Sequence, residues 1–507
     1  MATPTLPEEI IEHILSYLSL HGDEPRWPIG IADHNGHKHN YLPHEAIPIM
    51  DVEKHQALRS ACLASHALRR IARPVLYQVV HLPRTSTKLS LSGHRISRSM
   101  SAVRFLELLH THPEIADYVR EIRSDEWHLA RPFLSTTKER DAMFQECTAP
   151  WAERLRRALE PFYAHPLTTF DKNILKGRAE KLEDITMAVI LGLCKHTAIW
   201  DLDPPRSILD NEDFRIFEGI EFPHLQHLRK LVVRNHDFVP SHVGDVYGRW
   251  GFDVHDLWPL LLRLPSLKSL QGLQLDCDAD DRDVDQSQSS SVEEVRLHDT
   301  CASVAGLTWL AGNLPRLKKL KLHWQRTDEE RSTSCDGFGD FMRGPGLRLQ
   351  SLELRQDAAS AEDAKDSCDA LSLAGRKDYV NEAVAAAYRG KAVLRHFSVS
   401  SRLLLGGKEI YDDDHPFECE PLHVFLPYSV ETLDVHDFHD CDDNGTEVFD
   451  AWIPPLLADE HERRRIRVIR LHREQEYTQI TATEALSWEV LRCRIEGEWC
   501  IELKRRA

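Results

Sequence analysis

A six-residue pattern, Leu-x-x-Leu-x-Leu with Val, Ile or Phe allowed at the apolar places, returns along this chain and constrains its fold more than any other feature. Clean matches are "LRKLVV" at Leu228, "LQGLQL" at Leu270, "VEEVRL" at Val292, "LKKLKL" at Leu317, "LQSLEL" at Leu349, "LRHFSV" at Leu394, "VETLDV" at Val430 and "IRVIRL" at Ile466. Poorer matches, "VREIRS" at Val119 and "VLRCRI" at Val490, flank them. One match means little because Leu is common, but eight in order are a pattern. Side-chain alternation along a strand sends the last two apolar positions of each hexamer, such as Leu320 and Leu322, to one face and the intervening residues to the other. Stacked hexamers would then bury a continuous apolar core.

Several hexamers follow a Leu-Pro pair, as in "RLPSLKSL" and "NLPRLKKL". With that feature the set resembles an irregular leucine-rich-repeat array. The resemblance implies an α/β fold: a solenoid of parallel strands with outer helices, over residues 196–507. Spacings of about twenty to about forty-five residues exceed those of regular repeats, so some repeats must carry insertions. "SVAGLTWLAGNL" (Ser303 to Leu314) and "NEAVAAAY" (Asn381 to Tyr388) are candidates for the outer layer. Asp276 to Ser291 and Asp357 to Asp369 are acidic or Ser-rich and read as exposed insertions. The plainer alternative is a set of unrelated strands in an ordinary α/β fold.

The N-terminus reads differently. In "TLPEEIIEHILSYLSL", Thr5 and Glu8 have the spacing of a capping box, Pro7 suits a first turn, and Glu8 and Glu9 complement the helix dipole. Ile10, Ile14 and Leu18 form one apolar ridge, with Ile11 and Leu15 beside it. A second helical stretch runs from Ala57, with Leu58, Ala61, Cys62, Leu68, Ile71 and Ala72 at helical spacing until Pro74 stops the pattern. From Val75 to Leu82 the residues turn β-branched and strand-like.

Leu6, Pro7, Glu9, Ile10, Ile14, Leu15 and Leu18, then Leu58, Cys62, Ser65, Leu68, Ile71, Ala72, Pro74, Leu76 and Tyr77, resemble an F-box of the fungal type. The resemblance implies a small helical module over residues 1–82 that docks on a Skp-type adaptor and so joins a cullin scaffold. The adaptor-binding residues it implies are Leu6, Pro7, Ile10, Ile14 and Leu18. One departure is plain: between Leu20 and Ala57 lie roughly thirty-five residues rich in Gly, Pro, His, Asn and Asp, longer than most loops of compact domains. Residues 83–195, with "APWAERLRRALEPFY" the clearest case, read as a mostly helical bridge.

Composition narrows the function. A formal net charge of −18 repels a phosphate backbone, which argues against a nucleic-acid partner. "MATPTLPEEI" has no signal-peptide character, and "AVILGLC" is too short to span a bilayer, so an intracellular, cytoplasmic or nuclear protein with no membrane partner is expected. The 11 cysteines lack any C-x-x-C pair and read as reduced, mostly buried thiols. "DCDDNG" places Asp440, Asp442, Asn444 and Gly445 like the start of a calcium loop, but Ala451 stands where the bidentate Glu belongs, so a polar turn is expected. His34, His37 and His39, and His436 with His439, read as solvated rather than metal-binding. No hydrolase, phosphate-loop, dinucleotide or zinc-protease motif is present in the sequence.

The reading is therefore a non-enzymatic substrate adaptor of a ubiquitin ligase, with no cofactor and an unknown target protein. The alternative is an interaction scaffold independent of any ligase. Strand alternation places Arg234, Arg296, His298, Lys321, His323 and Arg355 outward as candidate target-binding residues. If they share one concave sheet they make a basic or pH-sensitive groove for an acidic or phosphorylated segment, held by Arg and partly protonated His; the plainer alternative is a solvated face of ordinary Lys and Arg.

Overall fold

The structure is a computed structural model. It describes residues 7–18, 31–32, 38–39, 49–82, 85–91, 94–98, 100–124, 149, 152–162, 186–187, 189–202, 225–234, 252–273, 275–277, 290–300, 302, 304–324, 341, 344–356, 393–400, 426–436, 465–473, 488–495 and 498–505. The chain divides into two compact units: Met1–Asp245 with Pro259–Leu267, and Val246–Trp258 with Lys268–Ala507.

The first unit begins with helices α1 (Glu8–Ser16), α2 (Ile49–Ala64) and α3 (His66–Leu76). The first helix opens differently from the expected capping box. Pro7 is its N-cap, extended at φ −53° and ψ 144°, and no side chain caps it. A proline suits this place because the residue has no N–H to satisfy, while its carbonyl accepts from the N–H groups of Ile10 and Ile11 at 3.1 and 3.2 Å. Glu8 pairs instead with Arg70 of α3, and Thr5 lies outside the described residues.

The stretch expected to be one helix from Ala57 onward is two, divided at Ser65. Its backbone is extended, and its hydroxyl accepts from the Leu68 N–H at 3.1 Å, a side-chain N-cap for α3. Pro74 does not stop α3, which continues to Leu76: the proline removes only the bond its own N–H would make to the Arg70 carbonyl, and the Tyr77 N–H still closes the end on Arg73 O at 3.2 Å. Leu15, Leu58, Ile71, Ala72 and Val75 form the buried center of the three helices, with Ile11, Leu18, Ala61, Cys62 and Leu76 against it. Within the long insert between Leu20 and Ala57, Ile31–Ala32 and Lys38–His39 pair antiparallel.

Strands β1 (Val79–Leu82), β2 (Glu121–Ser124), β3 (Ile199–Leu202) and β4 (Lys230–Arg234) follow, each parallel to its neighbour. Val80, Ile122, Trp200 and Leu231 stand in one register row, all buried. Helix α4 (Met100–Thr111) contributes Val103, Leu106 and Leu109 to the buried residues of this unit. The segment 83–195, read as a helical bridge, thus also supplies a strand of the sheet, and the division near residue 195 falls inside the first unit.

The second unit holds β5 (Ser269–Leu273), β6 (Glu294–Thr300), α5 (Val304–Asn313), β7 (Lys319–Trp324), β8 (Ser351–Gln356), β9 (His396–Ser400), β10 (Thr432–His436) and β11 (Val468–Arg473). These strands lie in sequence order, all parallel. Parallel neighbours need crossovers, and α5 provides one between β6 and β7. Arg348 fixes that helix by donating to the carbonyls of Ala311 and Leu314 past its last turn. "NEAVAAAY", the other expected outer helix, lies outside the described residues. The sheet ends in a hairpin of β12 (Trp488–Ile495) and β13 (Glu498–Arg505), with β13 antiparallel to β11. "VLRCRI" is therefore part of a closing hairpin and not a further parallel strand.

One backbone device holds successive strands in place. The carbonyl one residue after each hexamer's first position accepts two N–H groups from the next strand's approach, at 2.7 to 3.2 Å: Lys268 O from Glu293 and Glu294, Glu293 O from Lys318 and Lys319, and so on through Glu431 O. Gln78 O, Arg120 O and Ala198 O do the same in the first unit. This ladder identifies "YQVVHL" at Tyr77 and "TAIWDL" at Thr197 as hexamers the apolar pattern passes over. Thr197 is fully buried at an apolar place because its hydroxyl donates to Cys194 O at 2.7 Å.

The ladder also corrects a register. The hexamer around β5 begins at Leu267 rather than Leu270, so Gly272 takes its last apolar place. A Cβ there would meet Leu275 Cβ at 2.7 Å and Leu297 Cδ2 at 2.9 Å, because the chain turns back to put Leu275 in the space another strand gives to its own Leu. Elsewhere the pattern holds: Val295, Leu297, Leu320, Leu322, Leu352 and Leu354 are at most 1 % exposed. Each such Leu contributes about 2 kcal/mol of burial. Among the described cysteines, Cys62 is half-buried and Cys194, Cys277 and Cys500 are buried, all as free thiols.

Candidate functional site

Helix α1 presents two apolar ridges a turn apart. Ile11, Leu15 and Leu18 turn into the helical core, whereas Ile10, Ile14 and Tyr17 remain outside it, Ile10 46 % and Ile14 51 % exposed. Pro7 is also exposed. Leu18, expected on the ridge of Ile10 and Ile14, belongs to the inner one, since residues three and four apart share a helical face and Leu18 follows Leu15 and Ile11. Leu6 lies outside the described residues. Tyr17 stands edge-on to His13, its hydroxyl 3.2 Å from Nε2. An apolar ridge of this kind, on a helix anchored through its opposite side, has the form of a helix-in-groove anchor.

The second candidate surface is the polar face of the second unit's sheet. Register rows bring together Arg296, Lys321 and Glu353, and beside them His298, His323 and Arg355. Five of the six predicted target-binding residues therefore share one face. Arg234 ends β4 in the first unit.

The face is not the plain basic groove expected. Glu353 accepts from Lys321 Nζ at 2.6 Å and forms an ion pair with Arg355, whose Nε lies 2.9 Å away without a hydrogen bond, and Arg296 Nε lies 2.7 Å from Glu294. Burial pushes the Glu353 carboxyl up, but Arg355 and Lys321 outweigh it and hold it at about 2. His298 is not a protonated reader either. Burial, with His323 beside it, holds its imidazole at about 4, so it is neutral near pH 7.

Farther along, more of the polar face is buried, although His396 and Arg470 stay half-buried. Ser398, Ser400, Asp434, His436, His472 and Glu502 are all buried, though alternation puts them on the polar side. Arg470 bridges Asp434 and Glu502 at 3.5 and 3.1 Å, and His396 lies 3.5 Å from Asp434. Burial raises the Asp434 carboxyl and lowers the His396 imidazole, each partly opposed by the other. Ser398 Oγ meets His436 Nε2 at 2.9 Å. These acids and hydroxyls have the same strand parity as the predicted bases, and that parity was the only signal available for them.

Among the described residues no group of three or more His, Cys, Asp or Glu could hold a metal ion, and no helix is long and apolar enough to cross a membrane. Asp440, Asp442, Asn444, His34, His37 and His439 lie outside the described residues, and His436, expected to be solvated, is buried in a ring stack with His472. No known family model matches this chain, and no curated protein matches it either.

Proposed function

We propose that this chain is the substrate-recognition subunit of a cullin-based ubiquitin ligase, with α1 to α3 as an F-box-like module and the hexamer-built sheet as a leucine-rich-repeat-like target-binding region. The observation that carries this reading is the division of α1, whose inner ridge of Ile11, Leu15 and Leu18 anchors it while Pro7, Ile10 and Ile14 face outward. Those outward residues are among the ones the F-box resemblance assigns to the adaptor. The in-order parallel strands, tied by one repeated backbone bond, support the second half of the reading. On this reading the chain performs no chemistry itself; ubiquitin transfer belongs to other subunits.

The test is co-purification of the full chain with a Skp-type adaptor. The wild type should retain the adaptor and cullin, and Ile10→Glu with Ile14→Glu should lose both while melting at the wild-type temperature. Failure of the wild type to retain the adaptor would favour a ligase-independent scaffold, with the long segment between α1 and α2 as the obstacle to docking.

A further inference from the structure

The polar face of the second unit changes character along the sheet. Over β6, β7 and β8 it is open: Arg296, His298, Lys321, His323, Glu353 and Arg355 are all half-buried, and Lys319 is exposed. Over β9, β10 and β11 more of it is buried, namely Ser398, Ser400, Asp434, His436 and His472. His396 and Arg470 stay about as exposed there as Lys321 and Arg355, but both face Asp434, and Arg470 also pairs with Glu502.

Charge on the open strands is ordered in depth. Glu353 is 13 % exposed, whereas Lys321 and Arg355, which neutralise it, are 33 % and 29 % exposed. Glu294 is likewise less exposed than its partner Arg296. The carboxylates lie at the base and the cationic tips stand above them. Among the described side chains of this face, four cations, Arg296, Lys319, Lys321 and Arg355, meet two carboxylates, Glu294 and Glu353, on a chain whose total charge is −18. Arg355 lies against Glu353 through Nε, 2.9 Å from the carboxylate. Glu353, held ionised well below neutral pH, fixes both cations in place rather than leaving them to search for partners.

We propose that β6, β7 and β8 form a docking surface for an extended, carboxylate-rich segment of a partner protein, with Lys319, Lys321, Arg355 and Arg296 receiving its acidic side chains. A strand spacing of about 4.8 Å makes the three strands about 10 Å wide, which suits one extended peptide and not a folded domain. Neutral His298 stands with His323 in the row beside Arg355, their rings edge-on with centroids 6.2 Å apart, and His298 offers a ring face without adding charge near neutral pH. The acidic class of segment rests on charge complementarity alone; that the partner is a ligation target rests on the function proposed above.

Anisotropy of labelled decapeptides with the full chain tests this. The probes are an alternating Glu/Ser peptide, its Lys/Ser counterpart and a single-stranded oligodeoxynucleotide of matching length. The Glu/Ser peptide should bind best and lose about tenfold in affinity as salt rises from about 0.05 to about 0.3 M, because the contacts are partly exposed. The combined change Lys321→Met, Glu353→Met and Arg355→Met removes the cations with the carboxylate they neutralise, leaving no orphaned buried charge. It should weaken binding about tenfold, and exposed Lys319→Glu several-fold with unchanged melting.

Equal binding of the Lys/Ser peptide, tighter binding of the oligonucleotide, or wild-type affinity in Lys319→Glu would each overturn the proposal. Where the triple variant fails to fold, Lys319→Glu and the salt series decide. Ile10→Glu with Ile14→Glu should bind the peptide normally. Loss of peptide binding with the adaptor retained sinks this surface alone, and the reverse sinks the ligase assignment alone.

Discussion

The imidazole of His436 lies face to face with that of His472, ring centroids 4.1 Å apart and planes 21° from parallel. Both rings are buried, on adjacent strands β10 and β11, and His436 also meets the Ser398 hydroxyl. The stack joins three neighbouring strands on the side opposite the apolar core. His436→Ala should therefore remove both a ring contact and a buried hydrogen bond, lowering stability by about 2 to 3 kcal/mol. Ser398→Ala should cost only about 1 kcal/mol. Denaturant titration of the two variants separates them, and equal losses would mean that the stack contributes nothing.

The two ridges of α1 should respond oppositely to truncation. Leu15→Ala opens a cavity among Leu58, Ile71 and Val75 and should cost about 3 kcal/mol. Ile10→Ala and Ile14→Ala, on the exposed ridge, should stay within about 0.5 kcal/mol. A thermal melt that ranks Ile14→Ala below Leu15→Ala would show the helix rotated about its axis.

Ser65 sits between two helices that the apolar pattern reads as one. Ser65→Ala should lower the stability of the first unit by about 1 kcal/mol, and Ser65→Asp should preserve it, since either side-chain oxygen can accept from the Leu68 N–H. Amide exchange at Leu68 would report the loss directly: unchanged protection in Ser65→Ala would remove the cap from the account.

Acid should loosen the polar face in two steps. His298 has its folded value depressed from 6.5 to about 4, so the unfolded chain takes up a proton first and stability falls as pH drops through that interval, by at most about 3 kcal/mol. Glu353, depressed from 4.5 to about 2, contributes stability that is present above pH 4.5 and lost as pH falls toward 2. His298→Gln should flatten the stability profile between pH 6.5 and 4 and leave the lower step in place. Urea midpoints across that range provide the measurement, and an unaltered slope in His298→Gln would place the titration elsewhere.

Much of the strand array is written in the sequence because burial leaves a mark there: seven of the eight clean hexamers coincide with a strand in register. The eighth slipped by three residues because Gly272 shows no apolar side chain where Leu275 fills the space. Tyr77 and Thr197 begin hexamers that an apolar search misses, since what repeats there is a backbone bond. The closing hairpin was unreadable for a related reason: strand direction is not encoded in which residues are apolar. The exposed ridge of α1 was half legible. Helical spacing gives the two stripes of α1, but only packing against α3 decides that Leu18 turns inward. On the sheet, alternation separates Arg296, Lys321 and Arg355 from the buried Leu positions, yet the charge of that face depends on which acid stands across the neighbouring strand, and Lys321 opposite Glu353 is a matter of register.

The repeated carbonyl ladder has a consequence for how such a chain can vary. Every rung from Lys268 O to Glu431 O is made by main-chain atoms. Side-chain identity at those residues, which include Lys, Glu, Gln and Arg, is free to drift without loosening the rung. The intervals between rungs differ widely in length, and a longer detour costs little entropy once both its ends are pinned. Inheritance can therefore lengthen, shorten or exchange what hangs between two rungs, one interval at a time, while the spine that carries them keeps its register.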